Sequence, residues 1–137
     1  MKKITLDNIV DKLVEKFPEY QASSKYFDEE NKDMPYIVLG NLTLMAFEEI
    51  DKRTDVDLAE RLIGFTDEIL NNPDSEDELL NLFQVQVFET LVAYRTGALL
   101  AKKLLHNKSL ELLEQTLKHY NTDQFLKEYR KNQTDNQ

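Results

Sequence analysis

Apolar positions recur every three or four residues along most of this chain, the period of an amphipathic helix. The strongest run covers residues 75–94, SEDELLNLFQVQVFETLVAY, where Leu80, Phe83, Val87, Leu91 and Tyr94 keep helical spacing. Leu79, Leu82, Val85, Phe88 and Val92 put apolar groups on its flanks as well. A helix that is apolar nearly all round is a buried one, so this run predicts the central helix of the fold. Ser75 and Glu78 have the spacing of a capping box. Glu76 and Asp77 bring negative charge to the first turn, where the helix dipole favours it. The rival is a strand over residues 83–88, because Phe83, Val85 and Val87 alternate with Gln84 and Gln86. The capping box, and a stretch without Gly or Pro from Ser75 to Thr96, decide for the helix.

The same period predicts further helices on either side. Residues 5–17 carry Ile9, Val10, Leu13, Val14 and Phe17 on one stripe, and Pro18 ends them by disfavouring helical geometry in the residue before it. Residues 19–34 are polar and form a long loop, with room for one helical turn, either functional or pinned by Tyr20, Tyr26 and Phe27. Pro35 suits a first helical position, and Leu39, Leu42, Met45 or Ala46, and Ile50 follow it, although residues 36–39 fit a short β stretch as well. Asp57 caps a helix to about Asn71, with Leu58, Leu62, Phe65 and Ile69 inward. Asn72-Pro73-Asp74 is a turn. Gly97 interrupts the pattern, which resumes with Leu100 and Leu104. Asn107 is a left-handed stop and Ser109 the cap of a helix whose stripe is Leu110, Leu113, Leu117 and Tyr120. Asp123 caps a last short helix through Phe125, Leu126 and Tyr129, and residues 131–137 form a frayed tail.

The expected fold is therefore all-α, one compact bundle of about six helices over residues 1–130. An internal echo suggests an arrangement in antiparallel hairpins of HEAT-like kind. Phe47-Glu48 recurs as Phe88-Glu89 after 41 residues, and Leu58-Ala59-Glu60-Arg61-Leu62 as Leu100-Ala101-Lys102-Lys103-Leu104 after 42.

Composition narrows the chemistry. With 41% apolar and 31% charged residues the chain is globular. It has no cysteine, which removes disulfides, zinc–thiolate sites and thiol catalysis. Asp7 and Asp11 interrupt any leader-like apolar stretch, and no run is long enough to span a membrane. The expected location is the cytoplasm. Net charge is −9, and it is concentrated: residues 48–89 carry 13 acidic and 3 basic side chains. That field argues against nucleic acid, whose phosphates need Lys and Arg, and suits a basic protein partner. On the helix that starts at Asp57, the outer positions Asp57, Glu60, Gly64, Asp67 and Glu68 align, with Asp51 and Asp55 beside them.

Motifs of known chemistry are missing. The two histidines, His106 and His119, lack the Glu three residues before them that a di-iron bundle needs. They are expected near the ends of Lys-containing helices, where a cation suits the dipole. There is no His-Glu-x-x-His, no phosphate-binding glycine loop and no nucleophile elbow, so no metal, no cofactor and no catalytic residue is expected. Glu89 is the one polar candidate inside the most apolar helix. Buried, it would be paired, with Arg95, Arg61 or a tyrosine hydroxyl as partner, or else raised in pKa within a pocket.

The succession PYIVLGNLTLMAF, DLAERLIGFTDEIL and ELLNLFQVQVFETL resembles a family of small bacterial helical domains of unknown function, over about residues 35–120. Some members of that kind look like immunity proteins encoded beside polymorphic toxins. The resemblance implies a binding protein rather than an enzyme, one that neutralises a cognate toxin through the acidic face. Alternatives are a helical scaffold or adaptor, and a small-ligand binder or enzyme using Glu89.

Overall fold

A computed structural model describes residues 3–120, and among them every regular element is helical. Helix α1 spans Ile9–Lys16 and α2 spans Glu19–Ala22, with Pro18 between them. Tyr20 is buried, and its ring meets Phe27 edge-on at 5.4 Å. Aromatic packing thus pins the segment that follows α2. Helix α3, Pro35–Phe47, begins with its proline at the first position, and residues 36–39 are helical rather than extended. It buries Val38, Leu39, Leu42, Ala46 and Phe47, and it touches α1, α4 and the whole of the later central helix. After α3 the backbone turns through Glu49 in the left-handed region, φ 63°, into a 3₁₀ turn at Ile50–Lys52. Helix α4 is Asp57–Asn71.

The central helix exists but is not uniform. It comprises α5 (Asp77–Phe83), a π turn (Gln84–Phe88) and α6 (Glu89–Leu91). The expected capping box does not form. Ser75 instead donates its hydroxyl to the Ile69 carbonyl at 2.7 Å, and α5 starts two residues later, after Glu76. Ser75 lies close enough to the end of α4 to satisfy one of its orphan carbonyls. Helix α7 follows at Arg95–Leu104 and α8 at Asn107–His119. Asn107 is left-handed as expected, φ 51°, but it opens α8 rather than stopping the helix before it, which already ends at Leu104.

Gly97 sits inside α7, not between helices, and is buried. A Cβ there would lie 2.9 Å from the Phe47 ring, so only glycine lets α7 approach α3 this closely. Phe17, Phe65 and Phe83 form an edge-to-face series at 6.1 and 5.8 Å that ties α1, α4 and α5 together. Both α3 and α4 touch at least four other elements, as in a closed bundle. No described helix is long and apolar enough to cross a membrane. The last short helix expected from Asp123, and the tail at 131–137, lie outside the described residues.

Candidate functional site

The acidic face centred on α4 divides into two parts with different uses. Asp51, Asp55, Asp57 and Asp67 all have partners inside the chain. Asp51 accepts the Thr96 backbone N–H at 2.8 Å, which caps the start of α7. Asp55 accepts the Asp57 N–H at 3.0 Å and so opens α4, the role expected of Asp57 itself. Asp57 pairs with Arg61 at 2.8 Å, one turn along, and Arg61 also reaches Glu19. The Arg61 hydrogen bond holds the Glu19 carboxyl below its ordinary range against the opposing effect of burial.

Asp67 does not point outward with the others. Only 19% of its side chain is exposed, and it closes the joint between α4 and the start of α8. The Ser109 hydroxyl donates to it, as do the His106 backbone N–H and the Asn71 amide, both at 2.9 Å. The His106 ring lies 3.1 Å from its second oxygen. Asn71 completes the joint by accepting the Ser109 N–H at 3.2 Å. Burial alone would raise the Asp67 carboxyl, but the bonds from Ser109 and His106 outweigh it and hold it below the usual range. His106 lies two residues past the end of the Lys-containing helix α7, as expected, and is also the residue before α8, where a carboxylate of another helix meets it. His119 does close its helix as expected. Ser109 acts from within the first turn of α8 and is fully buried.

Glu60 and Glu68 remain. Both are exposed, and neither has a hydrogen bond or ion pair among the described residues. They lie four residues either side of Gly64, above which nothing stands within 4 Å. Beside this notch runs a groove of about 320 Å³ lined by Lys16, Phe17, Arg61, Phe65 and Glu68. Its own cations sit on its aromatic rings: Lys16 lies 5.0 Å from the Phe65 centroid, and Arg61 5.7 Å from that of Phe17.

Glu89 is exposed, contrary to its expected place inside the central helix. The π turn explains this. The Glu89 N–H bonds the Gln84 carbonyl five residues back, so the turn holds one extra residue. Each helical residue advances the chain by about 100°, so everything after the turn is rotated by that amount. Val87, Phe88, Leu91 and Val92 thereby fall on the core side, and Glu89 swings out. The expected tyrosine partner is there: the Tyr120 hydroxyl donates to Glu89 at 2.5 Å and its own pKa is raised by that bond. Both residues line a groove of about 280 Å³ between the central helix and the end of α8. Among the described residues no cluster of three or more His, Asp or Glu could hold a metal ion.

A family model described as Domain of unknown function (DUF7674) matches residues 10–121. The chain belongs to this family. The match takes in every helix from α2 to α8, and hence the α4 ridge, the Asp67 joint and both grooves. No curated protein matches the chain. No solved structure matches it either.

Proposed function

We propose that this DUF7674 domain is a non-enzymatic binding module that takes a basic protein partner on the outer ridge of α4. The observation that supports this reading is the pair of exposed carboxylates of Glu60 and Glu68, without a partner among the described residues, on either side of Gly64. A helix-interior glycine costs about 1 kcal/mol relative to alanine, and here no neighbour in the chain requires it. A partner side chain approaching the helix backbone between the two carboxylates would use the space. The excess of acid over residues 48–89 adds a field that speeds the encounter with a basic surface. Taken with the resemblance to toxin-associated helical domains, the ridge suits an immunity protein that covers the cleft of a cognate toxin, in the cytoplasm.

The test is affinity capture from the native host at low and high salt, with wild type beside the double variant Glu60→Lys/Glu68→Lys. A basic protein held by wild type at low salt, and released by either high salt or the variant, supports the ridge. The captured protein is then expressed with and without this chain. Growth arrest only in its absence supports immunity, whereas equal growth leaves the binding module and removes the toxin.

A further inference from the structure

The groove beside the π turn is separate from the α4 ridge, since none of its lining residues comes from α4. We propose that it is a binding site for a guanidinium group. Its one carboxylate is Glu89 and its one basic side chain is His119; neither Lys nor Arg lines it, so no permanent cation is there to hold a phosphate or a carboxylate. Tyr120 donates to one Glu89 oxygen and fixes the side chain, which leaves the other oxygen to accept. The carboxamides of Gln84 and Gln115 line the same space, and neither has a hydrogen bond among the described residues. Several acceptors around a small space match the planar five-donor fork of a guanidinium better than the compact charge of an ammonium.

The chain contains the same chemistry in an occupied form. The Arg61 guanidinium lies over Phe17 while it pairs with Asp57 and Glu19. At about 280 Å³ the groove is at the small end of ligand pockets, the scale of one side-chain-sized group. The π turn is part of the site, because without its extra residue Glu89 would rotate away from the Gln84 side.

The source of the guanidinium, a free small molecule or an arginine within a peptide, is separated by the probes. The full-length chain is titrated with L-argininamide, with a blocked Gly-Arg-Gly peptide, and with citrullinamide as the uncharged isostere, and followed by ¹⁵N–¹H spectra. Argininamide should give saturating shifts at Gln84, Glu89 and Gln115, with Kd on the order of 1–10 mM. Citrullinamide should bind at least tenfold more weakly. Glu89→Gln, at an exposed position, should keep the rest of the spectrum and weaken argininamide at least tenfold. Gln115→Ala should cost about threefold. Equal binding of the blocked peptide assigns the site to arginine in a chain, and binding of argininamide alone assigns it to a small molecule. Shifts confined to the α4 carboxylates, equal citrullinamide binding, or an unchanged Kd in Glu89→Gln would each overturn the proposal.

Discussion

Helix α4 presents carboxylates along one outer stripe and uses them in opposite ways. Asp67, towards the end of the helix, is drawn into the joint with α8, where Ser109, His106 and Asn71 all bond to it. Glu60 and Glu68 flank an open glycine and bond to nothing among the described residues. All three are carboxylates of one helix, and the neighbours differ. Asp67 is within reach of a helix start whose backbone N–H groups need acceptors, and a partly desolvated carboxylate gains from charge-assisted bonds there. Glu60 and Glu68 meet water, where an isolated surface charge contributes little to stability. Stability and binding are therefore assigned to different carboxylates of one outer stripe, and mutation can separate them.

The largest effect is expected at the joint. Asp67→Ala removes the acceptor from the start of α8 and leaves the buried Ser109 hydroxyl only the His106 carbonyl to donate to. A loss of about 2 kcal/mol follows from the cap and the charge-assisted bonds together. Thermal unfolding followed by circular dichroism should show the midpoint fall by several degrees. The joint should also be acid-sensitive. The native Asp67 carboxyl titrates below its unfolded value of about 3.9. Its stabilisation is thus complete above that pH and is lost as the pH falls through the lower native value. The gap in midpoint between wild type and Asp67→Ala should narrow on going from pH 7 to pH 2.5. A gap that stays constant would mean that Asp67 stabilises by shape and not by charge.

The helical periods, the Pro35 start, the turn at Asn72 and the left-handed Asn107 were legible in the sequence because each depends on residues within one or two turns. Three features were not. Ser75 has the spacing of a capping box, but it is also six residues from Ile69, and the tertiary course of the turn gives its hydroxyl to the end of α4. Glu89 was placed by carrying an α-helical period through residues 84–88, where the chain holds one extra residue per turn. The alternation of Phe83, Val85 and Val87, which resembles a strand, marks the place where that period slips. The joint at Asp67 was invisible for a related reason. Nothing local distinguishes it from Glu60 and Glu68, and its partners are about 40 residues away. Asn71, one turn after Asp67, is the only nearby hint of a second polar group facing the same way.

The next effect in size has the opposite sign. Gly64→Ala should stabilise the fold by about 1 kcal/mol, since alanine is the better helix former and its Cβ meets open space. Chemical denaturation measures this directly, with the midpoint raised and the slope unchanged. The ridge reading adds that the same variant should weaken capture of a basic partner, because a methyl group then stands between Glu60 and Glu68. Greater stability with full binding would show that the notch is not occupied. Gly97→Ala is the control for glycine itself: there the added methyl meets the Phe47 ring at 2.9 Å, and the change should destabilise by about 1–3 kcal/mol.

The smallest stability effect belongs to the ridge charges. Glu60→Lys and Glu68→Lys should each leave the unfolding midpoint within about 0.5 kcal/mol of wild type, as surface substitutions without a partner do. Their effect should appear in association. Reversal removes attraction from a partner that approaches through the acidic field, so it should slow the on-rate and flatten its dependence on salt, with less change in the off-rate. Asp57→Lys is the informative companion, because Asp57 has the same charge on the same helix but is paired with Arg61. If net charge alone governs the encounter, all three reversals should slow it equally. If the ridge is the contact, Glu60 and Glu68 should exceed Asp57, and their effects should be coupled through the space at Gly64.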